Sequence, residues 1–240
     1  MSVVVVTGAT GQLGRVLVPA LQKAGHHVRA MTRTTGKVTG SDEVVADVLD
    51  AGSLPAALAD ADVVLHLASS PRQDAHRTEV DGTRNLLVAR PAGTTLIYLS
   101  IVGSDRTPFG YYRAKADAER LVRAADHTRV VRATQFHGFA AYLVRPLPVL
   151  GRPVVPRGAL LQPVAEGFVA AALVAAVTAP EQAPAEIAGP EQLELAEIAR
   201  RVTGRGALTV PGPGRLLAAV RRGSLLAGPG ALIGGPPLPG

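Results

Sequence analysis

A glycine-spaced turn near the start of the chain constrains the fold more than any other feature. Residues 3–7 are four valines and a threonine, a β-branched run typical of a buried strand. Thr-Gly-Ala-Thr-Gly-Gln-Leu-Gly follows at 7–14, and apolar residues then recur at helical spacing as far as Gly25. A strand, a Gly-x-x-Gly-x-x-Gly turn and a helix in this order predict the first unit of a parallel sheet wound with helices.

This turn is a candidate site for the pyrophosphate of a dinucleotide. Gly8 permits the tight turn, Gly11 lets backbone amides approach the phosphates, and Gly14 lets the helix and strand pack closely. Isolated glycine spacing also occurs in loops without a ligand, so the position between strand and helix carries the prediction. The predicted binding residues here are Gly8, Thr10, Gly11, Gln12, Leu13 and Gly14.

The alternation of short β-branched runs with helical patterns continues to about residue 134. It predicts six strands, at 3–7, 28–32, 44–45, 62–68, 95–101 and 129–133, in a doubly wound parallel α/β sheet of Rossmann type. Proline-rich connections and helical stretches at 166–177 and 193–202 then predict a small substrate lobe. We therefore expect a nucleotide-binding domain at 1–134, an integrated lobe at 135–205 and a Gly/Pro-rich basic tail at 206–240, with loose order at 223–240.

Composition and charge narrow the function classes. The absence of cysteine excludes disulfides, cysteine-ligated metals and thiol catalysis, and the six histidines show no metal-ligand spacing. The net charge of +6 belongs to the end of the chain, because six arginines follow the last acid, Glu197. We therefore expect no nucleic-acid partner. With no apolar run long enough to cross a membrane and no visible targeting signal, we expect a cytoplasmic monomer or homodimer.

The end of the second predicted strand indicates which dinucleotide binds. An acid there would bind the 2′-hydroxyl of NAD, whereas a basic residue would accommodate the 2′-phosphate of NADP. Residues 31–37 contain no acid, and Arg33 is the candidate partner of the phosphate, although a solvated loop arginine is the alternative. NADP is therefore favoured over NAD. Further adenosine contacts are predicted at Asp47, Val48, Leu67, Ala68 and Ser69.

A tyrosine and a lysine stand four residues apart in Tyr-Tyr-Arg-Ala-Lys at 111–115, on a predicted helix. Residues i and i+4 share a helix face, so the Lys115 ammonium would lower the pKa of the Tyr111 phenol and suit it to proton transfer. Only three of the 25 basic residues are lysines, which makes a retained lysine informative. Structural packing of Tyr111 is the alternative.

Together with Leu-Ser-Ile-Val-Gly at 99–103, these motifs resemble those of the short-chain dehydrogenase/reductases, most closely their atypical NmrA-like, NAD(P)H-binding branch. The resemblance implies a Rossmann fold, Tyr111 as general acid/base, Lys115 holding the ribose, and Ser100 bonding the substrate carbonyl. Two positions depart from the family pattern. Ile101 replaces a second serine, and Glu79 begins a segment that usually reads Asn-Val-x-Gly-Thr.

The segment after the sixth strand lies where ligands of such folds bind. Gln135 and His137 are therefore predicted to line the substrate pocket, with Gln162 closing it from the lobe, although a lone histidine is more often structural. The leading hypothesis is an NADP-dependent oxidoreductase acting on a carbonyl, an alcohol or an activated double bond of a small organic substrate. The alternative is a non-catalytic NADP(H)-binding redox sensor that regulates a partner protein.

Overall fold

The computed structural model describes residues 1–38, 40–70, 74–145 and 151–240. The first half of the chain alternates strands with helices, as its sequence predicts. Its strands are β1 (Val3–Thr7), β2 (His27–Thr32), β3 (Asp42–Val45), β4 (Val63–His66), β5 (Thr95–Ile101) and β6 (Thr128–Ala133). Its helices are α1 (Gly14–Lys23), α2 (Leu54–Leu58), α3 (Gly82–Ala89) and α4 (Gly110–Arg123).

The second half contains shorter elements. Its helices are α5 (His137–Leu143), α6 (Glu166–Thr178), α7 (Leu195–Thr203) and α8 (Arg215–Arg221). Its strands are β7 (Val154–Pro156), β8 (Leu160–Leu161), β9 (Glu186–Ala188), β10 (Leu193–Glu194), β11 (Leu208–Val210) and β12 (Leu232–Ile233). Single helical turns of other types lie at Ala51–Ser53, Arg77–Asp81 and Pro180–Gln182.

The main sheet has eight strands in the order β12-β9-β6-β5-β4-β1-β2-β3. β1 pairs in parallel with both β2 and β4, so the strand order reverses at β1, and ligands of such sheets bind beyond the carboxyl ends of the strands at this kind of position. Val4, Val5 and Val6 are fully buried, as a central parallel strand requires. The predicted α/β fold with a Rossmann-type parallel sheet is confirmed.

The chain divides into two compact units. Unit 1 comprises Met1–Ser100, Arg113–Val131 and Ala170–Ala183. One of its cores packs side chains of β1, β4 and β5 against helices α2, α3 and α4. Buried apolar area of this kind is the main stabilising contribution to such a unit.

Unit 2 comprises Ile101–Tyr112, Arg132–Val169 and Pro184–Gly240, and it has a core of its own. Residues 206–240 form β11, α8 and β12. Within residues 223–240, where a loosely ordered end is expected, β12 pairs in parallel with β9. Glycines with positive φ, such as Gly223, Gly230 and Gly235, lie in the segments that flank these elements, so the composition reflects tight turns.

Candidate functional site

The glycine turn has no room for side chains at two of its glycines. Gly8 has a φ of +66°, and a Cβ added to it would lie 2.8 Å from the backbone nitrogen of Ala68. A Cβ on Gly14 would lie 2.5 Å from the carbonyl oxygens of Gly8 and Ala9. The turn is therefore packed against backbone on both sides, and α1 begins at its last glycine. A helix that starts behind such a turn favours an anion at its N-terminus, which fits a pyrophosphate.

Thr7 ties this turn to the segment that follows β4. Its Oγ1 accepts hydrogen bonds from the backbone nitrogens of Leu67 and Ala68, both at 3.1 Å. The same hydroxyl lies 2.8 Å from Nδ1 of His66. Leu67 and Ala68, two predicted adenosine contacts, therefore lie against the glycine turn. Thr7 was not predicted to have this role, because a threonine at a strand end has no distinctive pattern.

His66 links Thr7 to the helix that carries Thr83. It is fully buried, and burial lowers its pKa to about 3, so the imidazole is neutral. Its Nε2 lies 3.1 Å from Thr83 Oγ1, whose hydroxyl donates to the carbonyl oxygen of Glu79. Because Thr83 donates onward, His66 donates from Nε2 and accepts from the Thr7 hydroxyl at Nδ1. A hydrogen-bonded chain thus runs from the glycine turn to Glu79.

Lys115 is buried and paired with an acid in unit 1. Its Nζ lies 2.9 Å from Oε2 of Glu79 and donates to the carbonyl oxygen of Leu99 at 3.0 Å. It also lies 4.6 Å from the centre of the Tyr98 ring. Burying an ammonium requires such partners, because desolvation otherwise favours the neutral amine. The predicted ribose-binding lysine is thus held inside the protein by three neighbouring groups.

The Glu79 carboxylate holds several groups together. Its Oε1 accepts from the Ser69 hydroxyl at 2.6 Å, and its Oε2 accepts from the Tyr98 hydroxyl at 2.8 Å. Burial acts to raise the pKa of Glu79, but Lys115 and these two hydroxyls lower it below its ordinary value. Burial raises the pKa of Tyr98, so Tyr98 is a neutral donor. Sequence reasoning placed Ser69 near the cofactor, but it identified neither Tyr98 nor the pairing of Glu79.

Ser100, the predicted partner of the substrate carbonyl, is buried and donates to Oε1 of Glu119 on α4. The other Glu119 oxygen lies 2.8 Å from a guanidinium nitrogen of Arg123. The structure therefore places the Ser100 hydroxyl in a hydrogen bond inside unit 1. Its role toward a substrate stays a prediction.

The loop after β2 carries the predicted phosphate contact. Arg33 is exposed there, while Thr32 donates to the carbonyl oxygen of Thr34 at 2.9 Å. An acid that the sequence did not single out, Glu43 on β3, accepts from the backbone nitrogens of residues 36–38 at 2.5 to 2.6 Å. Burial acts to raise the pKa of Glu43, and these backbone bonds lower it below its ordinary value. The Glu43 carboxylate is thus bound to the backbone of this loop.

The predicted adenine contacts lie beyond β3. Asp47 accepts from the backbone nitrogen of Leu49 at 2.9 Å, which shapes the turn before α2. Val48 is buried, its carbonyl oxygen accepts from the Asn85 amide at 2.9 Å, and its side chain lies against Gly82. The side chain of Val48 therefore belongs to the packing of α3.

Tyr111 lies in the first turn of α4, which begins at Gly110. It is half-buried, and its ring packs edge-on against Tyr112 with the centroids 6.1 Å apart. Burial raises the pKa of Tyr112, so that neighbouring phenol is neutral. Tyr112 also contacts Phe109, which makes it a packing residue and a suitable control for Tyr111.

The predicted substrate residues of unit 2 contact a segment that we call the C-terminal strap, residues 224–228. Gln135 donates to the carbonyl oxygen of Leu225 at 3.2 Å, and Gln162 accepts from the backbone nitrogen of Ala227 at 3.0 Å. The backbone nitrogen of Gln162 also donates to Oε1 of Gln135 at 3.0 Å. The two glutamines thus lie together, and both side-chain amides bind the strap, which sequence reasoning did not foresee. Their role toward a substrate stays a prediction.

His137 begins α5 in the same unit. Burial lowers its pKa below the ordinary value. Its Nε2 is a buried atom with no hydrogen-bond partner among the described residues. A neutral imidazole with an unmatched nitrogen suits a ligand contact.

The described residues form neither a metal-binding cluster nor a membrane-spanning helix. No group of three histidine, aspartate or glutamate side chains within 1–38, 40–70, 74–145 and 151–240 is placed to hold a metal ion. Over the same ranges, no helix has both the length and the apolar character needed to cross a membrane.

The family assignment rests on residues 8–136, more than half of the chain, which match the NAD(P)H-binding family model. The chain belongs to this NAD(P)H-binding family. The match begins at the first glycine of the turn and includes both Tyr111 and Lys115. The expected NAD(P)H-binding family is confirmed, while the roles of the individual motif residues stay predictions.

Two curated relatives are similar to part of this NAD(P)H-binding chain. L-arabinose 1-dehydrogenase (NAD(P)(+)) of Haloferax volcanii is 37% identical over 94 residues, covering 37% of this chain and 36% of that protein. A 3-diazoavenalumate denitrifying reductase of a Streptomyces species is 32% identical over 137 residues, covering 51% and 45%. The chain therefore matches less than half the length of either relative.

Solved structures match nearly the whole chain. An NADPH-dependent quinone oxidoreductase of Escherichia coli, complexed with NADPH, has a TM-score of 0.73 at 20% identity and covers 93% of this chain and 91% of its own. A nucleoside-diphosphate-sugar epimerase of Staphylococcus aureus has a TM-score of 0.73 at 18% identity, with 95% and 92% covered. At these identities the likeness shows the fold alone.

Proposed function

We propose that the protein is an NADP-dependent oxidoreductase that reduces or oxidises a small organic substrate at a carbonyl, an alcohol or an activated double bond. The observation that carries the proposal is the buried ammonium of Lys115, held on the same helix as Tyr111 and four residues from it. Membership of the NAD(P)H-binding family and the dehydrogenase and reductase names of its relatives support it.

When bound, a nicotinamide nucleotide supplies or accepts the hydride at the substrate carbon. The glycine turn would bind the pyrophosphate, because its glycines leave backbone free of Cβ atoms. For a carbonyl substrate, the Tyr111 phenol would give its proton to the oxygen as the carbon gains hydride, and would take that proton back in the reverse direction. The Lys115 cation would favour the phenolate left behind. Gln135, His137 and Gln162 would face the substrate in this proposal.

The choice of NADP over NAD rests on Arg33. This exposed cation follows β2, where a 2′-phosphate would bind, and the carboxylate of Glu43 is already bound to backbone amides. Titration with NADPH and with NADH, followed by nucleotide fluorescence, tests the choice. Arg33→Ala should weaken NADPH binding roughly tenfold or more, the effect of one lost charged hydrogen bond, and leave NADH unchanged. Arg120→Ala, an exposed arginine on α4, is the control, and equal affinities in the parent would overturn the assignment.

The catalytic part is tested by Tyr111→Phe with Tyr112→Phe as the matched control. Removing the phenolic hydroxyl of the acid/base should lower turnover of quinone, aldehyde or enone substrates roughly 10²- to 10⁴-fold, with NADPH affinity retained. Tyr112→Phe should keep the parent rate. Equal rates for Tyr111→Phe and the parent would overturn the assigned role of Tyr111.

A second function is favoured by one observation. Ser100, which the enzyme proposal assigns to the substrate carbonyl, donates its hydroxyl to Glu119 inside unit 1. We propose as the alternative a non-catalytic NADP(H)-binding sensor that regulates a partner protein. Such a protein would bind NADPH but would not turn over quinone, aldehyde or enone substrates. Tyr111→Phe would leave its NADPH affinity unchanged.

A further inference from the structure

Glu79 has an unusual position for a carboxylate. It is fully buried, and the Lys115 side chain beside it is only 4% exposed. Glu79 lies in the π-helical turn Arg77–Asp81, where the backbone nitrogen of Gly82 donates to the carbonyl oxygen of Arg77, five residues back. Such turns are rare and often occur at functional sites. The turn places a charged side chain in the interior of unit 1.

The Glu79 backbone is held as firmly as its side chain. The Thr83 hydroxyl donates to the Glu79 carbonyl oxygen, and Thr83 is bound in turn by His66. On the side-chain end, Ser69 and Tyr98 each donate to the carboxylate. Fixed at both ends, the carboxylate presents Oε2 to the ammonium in one geometry.

We propose that Glu79 is a positioning residue for Lys115, which holds the ammonium in place and keeps it protonated at pH values where an unpaired buried lysine would be neutral. This inference rests on the proposed function, in which Lys115 serves the ribose and the Tyr111 phenol.

The groups around Lys115 single out Glu79 as its counter-charge. β4 contributes His66, which is neutral, and β5 contributes Tyr98, whose raised pKa keeps it neutral as well. On α4 itself, Tyr111 precedes Lys115 by four residues and Glu119 follows it by four. Glu119 already carries an ion pair with Arg123.

Removing the Glu79 charge therefore has a defined consequence. A buried ammonium without a counter-charge is disfavoured relative to the neutral amine, so its proton leaves at lower pH. Glu79→Gln retains the size and one acceptor oxygen but loses the charge, whereas Glu79→Asp retains the charge. A role in packing or hydrogen bonding alone would leave the protonation of Lys115 unchanged in the glutamine variant.

The scarcity of lysine makes a direct measurement feasible. With lysine labelled at Cε by ¹³C, the chain gives three signals, from Lys115 and from the exposed Lys23 and Lys37, which serve as internal references. Lys115→Met assigns its signal by deletion. In a titration of the parent from pH 7 to 12, Lys115 should not lose its proton at a lower pH than the two reference lysines. In Glu79→Gln it should lose the proton at a pH at least one unit lower than in the parent, and Glu79→Asp should restore most of the difference.

This measurement is independent of cofactor and activity. If Lys115 titrates at the same pH in the parent and in folded Glu79→Gln, or before the references in the parent, the inference is overturned. Should Glu79→Gln fail to fold, the parent titration and the Glu79→Asp variant still decide it. NADPH affinity, measured in parallel, should fall with rising pH in Glu79→Gln and not in the parent. Absence of NADPH binding to the parent would overturn the proposed function and leave the lysine titration intact.

Discussion

The Glu79–Lys115 pair makes a quantitative prediction for Lys115→Met. Methionine keeps an unbranched stem of similar length but removes the ammonium, so a fully buried carboxylate loses its cation. Breaking a buried pair by removing one partner typically costs about 3–5 kcal/mol of unfolding free energy. For a chain of this size, each kcal/mol corresponds to roughly 2–4 °C in Tm. We therefore expect Lys115→Met to melt about 6–20 °C below the parent at pH 7–8.

The free energy of unfolding should change with pH in opposite directions in the parent and in Lys115→Met. In the parent the folded-state pKa of Glu79 is lowered below 4.5, so its contribution to stability is present above pH 4.5 and is lost as pH falls through the folded value. In Lys115→Met burial acts without its cation and raises that pKa, so the folded variant takes up a proton that the unfolded chain lacks. The difference in unfolding free energy between the parent and Lys115→Met should therefore shrink as pH falls from 8 toward 5. Acidification thus stabilises the variant, whereas in the parent it removes the contribution of Glu79.

Urea unfolding at pH 5, 6, 7 and 8, followed by circular dichroism, measures both effects. The double variant Glu79→Gln with Lys115→Met is the control, because removing both charges of a buried pair is often nearly neutral. A gap between the parent and Lys115→Met that is below about 1 kcal/mol or constant with pH would refute the reasoning.

Three further outcomes follow from other parts of the chain. Gly103→Ala should lower the free energy of unfolding, measured by thermal melting, by more than about 1–2 kcal/mol. Gly103 has a φ of +85°, and a Cβ there would lie 2.1 Å from the Ser224 carbonyl oxygen. Gly110→Ala is the control and should be nearly neutral, because a Cβ on Gly110 meets open space. The His66 imidazole should show no NMR titration between pH 5 and 8, because burial lowers its pKa to about 3. Below pH 6.5 the unfolded chain binds a proton at His66 that the folded protein does not, so the free energy of unfolding should fall with pH. Deleting residues 223–240 should lower the free energy of unfolding by about 3–6 kcal/mol, because the buried side chains of Leu225 and Leu238 are lost. Urea unfolding measures this loss, and a midpoint equal to that of the parent would contradict an ordered end.

The parallel sheet could be predicted because its signals are local. The valine run at 3–7 is long enough to identify a buried strand, and the glycine turn follows it directly. The packing of Gly8 on the Ala68 backbone then follows from the fold, since the turn and the segment after β4 meet at the same edge of the sheet. Local periodicity was enough to predict these features.

The pairing of Glu79 with Lys115 could not be predicted in the same way. The two residues are 36 positions apart, and a glutamate within a helical pattern is usually exposed. Its burial depends on one π-helical turn, which leaves no periodic signature in sequence. The C-terminal strap was missed for a related reason, because glycine and proline mark tight turns and disorder alike.

The contacts of Lys115 explain why this position has a lysine in a chain whose other cations are mostly arginines. Arginine serves as the cation almost everywhere else, yet position 115 keeps an ammonium between a carboxylate, a backbone carbonyl oxygen and the Tyr98 ring. An ammonium is a compact charge that these three groups can enclose, whereas a planar guanidinium carries five N–H donors over a larger area. An arginine at 115 would preserve the charge and still leave buried donors unmatched, so the requirement at this position is for the size and shape of the cation as well as its sign.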